Sequence, residues 1–196
     1  MQDDNDNDGN IIRTFIAMDA LNIDALENLQ KELTSRIQWD LNVVKPTKKD
    51  HFHFTILFLG EIHKNIAERI TERLSEIEFK SFNILYNNIG VFPNKNFPKI
   101  IWVGIDDEGK QKMMDLNRNI LSKLNQEGLR RTDKISIPHL TLFRLKRQMK
   151  IDFDNLSNLA KNRTFGSDII DRFYLKKSNL TSQGPIYSNI LTVHAK

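Results

Sequence analysis

The chain contains no cysteine, which excludes a disulfide framework and thiolate chemistry. Its longest apolar runs are strand-sized, far short of the roughly 20 residues that a membrane-spanning helix needs. The positive stretch and apolar core of a secretory signal are also missing from its start. These absences set the expectation of a soluble, cytoplasmic protein. Apolar residues make up 39%, a little low for a globular chain. Part of the shortfall lies in MQDDNDNDGN at the start, which offers no large apolar side chain after Met1. Such a stretch cannot bury enough surface to offset the entropy of ordering it. Residues 1–10 are therefore expected to form a disordered acidic tail, and residues 11–196 a single bilobal domain.

The net charge is +4, from 29 basic and 25 acidic residues. Asp3, Asp4, Asp6 and Asp8 all stand in the tail, so the body is more basic than the total implies. A basic body suits a phosphate-bearing partner.

The chain repeats itself. Arg13 to Asp19 (RTFIAMD) reads as a buried strand ending at an acid. A helix follows, with Leu26, Leu29, Leu33 and Ile37 at helical spacing and Asp24 as its expected N-cap. Lys99 to Asp106 (KIIWVGID) is again a buried strand ending in Asp. It too is followed by a helix, on Met113, Leu116, Ile120 and Leu124. After each helix comes an apolar strand, Phe52–Leu59 and Ile135–Leu145, and each carries the pattern His, apolar, Thr, apolar. From Phe15 to His53 and from Ile101 to His139 the separation is the same, which predicts an internal duplication. Further helices are expected at Asn65–Ile77 and Phe153–Lys161. Further strands are expected at Phe82–Tyr86, Asp171–Lys177 and Ile186–His194, the last two joined through Ser182-Gln183-Gly184-Pro185. Asn94-Lys95-Asn96, between two prolines, reads as a loop. The expected fold is α+β and bilobal: duplicated β-α-β units related by a pseudo-twofold, with antiparallel sheets flanking a central cleft.

On a strand, residues i and i+2 share a face. His53 therefore stands with Thr55 and His139 with Thr141, while Phe54, Ile56, Leu140 and Leu142 face a core. One His-x-Thr pair on a strand carries little information. Two, in matching contexts, are the parts for acid–base chemistry on an anion. Imidazoles give and take protons near neutral pH, and hydroxyls bond phosphoryl oxygens without adding negative charge. No carboxylate cluster lies beside either motif, and a metal site wants three or more ligands. The expected chemistry is hydrolysis or transesterification of a phosphodiester without metal or other cofactor. His51, His63 and His194 have no counterparts. They read as structural or solvated, His63 in a loop and His51 at the cleft edge.

At this point the chain resembles the 2H phosphoesterase superfamily, and within it the RNA 2′,3′-cyclic phosphodiesterases, also called 2′-5′ RNA ligases. The resemblance runs from about residue 11 to 194. It is carried by Arg13–Asp19, Val44-Lys45-Pro46, His53-Phe54-Thr55-Ile56-Leu57-Phe58-Leu59-Gly60-Glu61 and Val91-Phe92-Pro93. It continues through Pro98–Gly104, Pro138-His139-Leu140-Thr141-Leu142-Phe143-Arg144 and Leu180–Tyr187. His51-Phe52 departs from the pair usual before the first motif. The resemblance implies hydrolysis of RNA 2′,3′-cyclic phosphate ends to 2′-phosphates. By analogy His53 is the proton donor and His139 the proton acceptor, and Thr55 and Thr141 hold the non-bridging oxygens. Arg144 is a further phosphate ligand by the same analogy. It lies three residues after Thr141, so only a bulge or a strand end brings it to that face. Phe92 is a candidate for stacking a terminal base, with a core aromatic as the alternative. RNA or a nucleoside 2′,3′-cyclic phosphate is the implied partner, and the chain is expected to act as a monomer. The alternatives are 2′-5′ RNA ligation, which would use the same acid and base, and a non-catalytic module that binds RNA ends.

Overall fold

The computed structural model describes residues 10–36, 42–126, 137–147, 149 and 151–196. Residues 1–9 of the expected tail, Ile37 and residues 135–136 of the expected second motif strand lie outside these, and residues 137–139 are described but precede the strand, which starts at Leu140. Strand β1 (Ile11–Asp19) leads to helix α1 (Ile23–Arg36), the short strand β2 (Val44–Pro46) and a 3-10 turn at Lys49–His51. Strand β3 (His53–His63), helix α2 (Lys64–Ser75) and strand β4 (Phe82–Phe92) follow. The second half runs β5 (Ile100–Ile105), α3 (Asp107–Gln126), β6 (Leu140–Leu145), α4 (Phe153–Ala160), β7 (Thr164–Ile170), β8 (Arg172–Thr181) and β9 (Gly184–His194). Among the described residues no helix is long and apolar enough to cross a membrane.

The strands form one antiparallel sheet in the order β7-β4-β5-β6-β3-β1-β8-β9, with β2 on β6. Among the described residues its two halves, β9-β8-β1-β3 and β6-β5-β4-β7, are joined in the ladder at one residue pair, Phe54 with Leu140. This is the expected pseudo-twofold, and its axis passes between the two motif strands. Each half borrows a strand: β4, from the first repeat, pairs with β5, and β8, from the second, pairs with β1. Helices cover one face. Leu26, Leu29 and Leu33 of α1, Ile70 and Leu74 of α2, and Met113, Leu116, Ile120 and Leu124 of α3 join Phe54, Leu140 and Leu142 in one buried cluster. Burying such stripes is worth roughly 1.5–3 kcal/mol per large side chain, and helical periodicity marks those of α1 and α3 in the sequence.

Several expectations change. Asn22, not Asp24, caps α1: its Oδ1 accepts from the Ala25 amide at 3.3 Å, while Asp24 sits in the first turn. The two strand-ending acids are not equivalent either. Asp106 caps α3 through the Gly109 amide, whereas Asp19 pairs with Lys176 at 2.7 Å. In ladder register Phe15 pairs with Phe58 and Ile100 with Arg144. The structural counterpart of Phe15 is thus Ile100, and the equal spacing was off by one residue. Strand β4 runs on to Phe92, because β5 takes over its pairing from Tyr86 to Phe92 after β7 has paired it from Phe82 to Asn87. His63 ends β3 rather than lying in a loop. Strands β2 and β7 were not foreseen. The first has three residues, and the second (TFGSDII) carries a glycine at φ +158° that hides its alternation. The Asn94 loop is as expected, with Asn94 Oδ1 accepting from the Asn96 and Phe97 amides at 3.0 Å. So is the β8–β9 hairpin, closed at Thr181–Gly184.

Candidate active site

The face of the sheet opposite the helices holds a cleft of about 750 Å³, lined by both motifs and by Phe15, Phe58, Phe92, Arg144 and Tyr187 among others. That volume lies within the range of small-molecule sites. All six residues singled out from sequence, His53, Thr55, His139, Thr141, Arg144 and Phe92, line it. His51 is at its edge, and His63 and His194 are elsewhere. Phe54 pairs with Leu140 between the two motifs, so His53 and Thr55 flank that pair on one side and His139 and Thr141 on the other, and all four line the cleft.

The two imidazoles are held alike. His53 Nδ1 lies 2.8 Å from the His51 carbonyl and His139 Nδ1 2.8 Å from the Ile137 carbonyl. A carbonyl only accepts, so in both rings Nδ1 carries the hydrogen and Nε2 is left free. Aromatic rings flank both. Phe15 and Tyr187 lie 5.2 and 5.3 Å from the His53 ring centroid, and Phe92 and Trp102 lie 4.9 and 6.1 Å from that of His139. Gly90 makes room for Trp102, because a Cβ there would stand 2.1 Å from the indole.

Burial lowers the basicity of both histidines. It pushes His53 down to about 4, opposed by the His51 carbonyl and the Asp19 carboxylate and aided by Lys176 and Arg144. His139 is also pushed down, by burial first and then by Arg144, against the Ile137 carbonyl. Burial first, and Arg144 as a lesser cause, lower His51; burial raises Tyr187 against the opposing pull of Arg144, so the Arg144 charge reaches every titratable ring of the cleft. No carboxylate pairs with it among the described residues. Within those residues no three His, Asp or Glu side chains are grouped as a metal site would require.

Arg144 reaches the cleft by the bulge that the sequence argument needed. Trp102 pairs with Thr141 and Ile101 with Phe143, leaving Leu142 as the extra residue. Strand β3 has the same device: Ala17 pairs with Thr55 and Ile16 with Leu57, leaving Ile56 extra. One extra residue inverts the alternation. The cleft thus receives His53, Thr55 and Phe58 from β3, Thr141 and Arg144 from β6, and His139 from the position just before β6. Phe58, 61% exposed, is the counterpart of Arg144. Sequence reasoning missed it, although its spacing from His53 equals that of Arg144 from His139. Also missed were Tyr187, as a wall of His53, and Thr14, whose buried hydroxyl has no partner.

The sequence profile described as LigT like Phosphoesterase matches twice, over residues 21–102 and 103–187. The chain belongs to the LigT-like phosphoesterases. The paired match restates the duplication seen in the sheet. An RNA 2′,3′-cyclic phosphodiesterase of Archaeoglobus fulgidus is 34% identical over 179 residues, covering 91% of this chain and 98% of that one. One of Methanocaldococcus jannaschii is 30% identical over 187 residues, covering 91% and 98%. The crystal structure of E. coli LigT in apo form superposes with a TM-score of 0.74 at 17% identity, over 95% of this chain and 99% of that one. It supports the fold alone.

Proposed function

We propose that this LigT-like enzyme hydrolyses RNA 2′,3′-cyclic phosphate ends to 2′-phosphates, with its two motif histidines as the proton carriers and no metal. One observation carries the reading. A single cleft receives two imidazoles whose Nδ1 atoms are both fixed on carbonyls, leaving two Nε2 atoms for one phosphate. His139 Nε2 takes a proton from water as its oxygen attacks phosphorus. The P–O3′ bond breaks, and His53 Nε2–H protonates the departing O3′. Thr55 and Thr141 donate to the non-bridging oxygens, and Arg144 offsets the charge that grows there. Asp19 supports His53 as the donor. It pairs with His53 in the ladder and favours its protonated form, and the next position of β5 in the other half is Gly104, which carries no charge.

Phe58 is the better platform for the terminal base. Phe92 is half-buried, with its ring against His139 and Trp102, and acts as a wall for His139. Lys45 is opposite Arg144 in the ladder and so shares its face, and Lys48 is near enough to depress His51. These exposed cations suit the upstream phosphates of an RNA strand. Because every cleft residue comes from one chain, a monomer suffices, and the chain without cysteine suits the cytoplasm.

The test is incubation with a nucleoside 2′,3′-cyclic phosphate in EDTA, with the product isomer identified. A 2′-phosphate is expected. A 3′-phosphate would exchange the leaving oxygens, and turnover only on adding Zn²⁺ or Mn²⁺ would mean that the histidines are metal ligands.

A further inference from the structure

We infer that Gln30 and Asn117 are positioning residues, each pinning the bulge that turns one substrate-facing side chain into the cleft: Gln30 for Arg144 and Asn117 for Phe58. The inference rests on the roles given above to Arg144 and Phe58. It starts from the carbonyls of the two extra residues. Ile56 O accepts from Asn117 Nδ2 at 2.6 Å. Leu142 O accepts from Gln30 Nε2 at 2.7 Å and from the Thr47 amide at 2.8 Å. The same Gln30 nitrogen also reaches the Thr47 carbonyl at 3.0 Å, so it ties β6 to the chain leaving β2.

The arrangement is reciprocal. Helix α1 follows the first strand of the first repeat, yet Gln30 holds the bulge of the second. Helix α3 belongs to the second repeat, yet Asn117 holds the bulge of the first. Neither residue suits its position as mere packing. Asn117 is 4% exposed, next to the apolar stripe of α3, and its Oδ1 has no partner. A buried amide that is half unsatisfied costs stability that an apolar side chain would not. Gln30 follows Leu29 on the inward side of α1. What each amide gains is the carbonyl of the extra residue at a bulge, which at Leu142 it shares with the Thr47 amide. Losing the bulge would slip the strand by one residue and turn Arg144, or Phe58, to the helix side.

The test compares Gln30→Met and Asn117→Leu, alone and combined with Arg144→Ala and Phe58→Ala. The substrates are a nucleoside 2′,3′-cyclic phosphate and an aryl phosphodiester that has no nucleobase. Gln30→Met should lower kcat/KM about 10- to 100-fold on both, the scale of an ångström-sized misplacement, and should cost nothing more once Arg144 is gone. Asn117→Leu should raise KM about tenfold on the nucleotide only, and nothing more once Phe58 is gone. Losses that multiply in those backgrounds would show general loosening and overturn the inference. The wild type and Arg144→Ala alone report separately on the reading of the cleft. Should Asn117→Leu not fold, the half-buried Gln30 decides. A crystal structure of Gln30→Met should show the bulge at Leu142 lost or moved. Arg144 unmoved on an intact bulge would refute the pinning whatever the activity.

Discussion

His53 and His139 are fastened by the same bond to the same kind of carbonyl, and each is walled by two aromatic rings, yet the strands that carry them diverge five residues after each histidine. There β3 presents an uncharged ring, Phe58, and β6 a guanidinium, Arg144, through bulges at matching places. A second difference lies beneath the histidines. His53 has the Asp19–Lys176 pair beside it, with Lys176 buried, and His139 has only Gly104 at the next register position. The symmetric parts are those that any phosphodiester needs, two proton carriers and two hydroxyls. On the proposed reading, the asymmetric parts decide which way round the substrate lies, base toward Phe58 and charge toward Arg144, and so which histidine faces the leaving oxygen.

Removing the symmetric parts should have the largest effect. His53→Ala and His139→Ala should each lower kcat about 10²–10⁴-fold. The double variant should fall no further than the worse single one, because the two act on one transition state. An aryl phosphodiester whose leaving group needs no proton should separate them: the His53→Ala defect shrinks and the His139→Ala defect persists. The reverse outcome would exchange donor and acceptor. Near-wild-type rates in both would end the enzyme reading of this cleft.

Next comes the fifth position. Arg144→Ala should lose about 10²-fold or more in kcat/KM, because it removes a charge aimed at the phosphate. Phe58→Ala should lose only about tenfold, in KM, the scale of one base–aromatic stack. The Phe58 loss should vanish on a substrate without a base, and the Arg144 loss should remain. Equal behaviour of the two variants would mean that the halves do not divide the work as argued.

Most of this was legible in the sequence because it is written in periodicity. The amphipathic stripes of α1, α2 and α3, the buried strands β1 and β5, and the two His-x-Thr pairs all follow from local spacing. Bulges were not legible, because they depend on which residues face each other across a ladder. Arg144 was therefore named with the condition that a bulge supply its direction, and Phe58, under the same condition, was passed over. The caps were misread for a similar reason: Asp24 and Asn22 are both good cap residues, and only the path of the chain into α1 decides between them. Phe92 was named with two readings, a stacking platform or a core aromatic, because nothing local reveals that its ring lies against Trp102 and His139.

The pH dependence sharpens the comparison. Both histidines are held below 6.5, His53 at about 4. At neutral pH the free enzyme therefore has both rings neutral, while turnover needs one protonated. The kcat/KM profile should be a bell with its maximum on the acid side of 6.5, falling about tenfold per pH unit well above it. A bound phosphodiester anion favours imidazolium, so the kcat profile should lie at higher pH. Asp19→Asn removes a group that favours protonated His53 and should move the acidic limb lower. A kcat/KM maximum above pH 7 would contradict the lowered basicities. Stability runs the other way. The unfolded chain takes up these protons first, so melting temperatures should fall as pH drops from about 6.5 towards 4.

The threonines should give the smallest effect and the finest test of symmetry. Each supplies one neutral hydrogen bond, so Thr55→Val and Thr141→Val should cost about 3- to 15-fold in kcat/KM, the equivalent of ~0.7–1.6 kcal/mol. Valine keeps the branched shape that suits a strand, which separates the lost hydroxyl from lost packing. Thr55 is 9% exposed and buried, whereas Thr141 is half-buried and shares its strand with Arg144. If Arg144 holds the same oxygen as Thr141, the guanidinium covers for the lost hydroxyl, and Thr141→Val should be the milder variant. In an Arg144→Ala background the order should reverse, since Thr141 is then the nearer donor left on β6. Parallel kinetics on the four variants check this. An unchanged order in both backgrounds would mean that the two halves of the cleft hold different oxygens and do not share one.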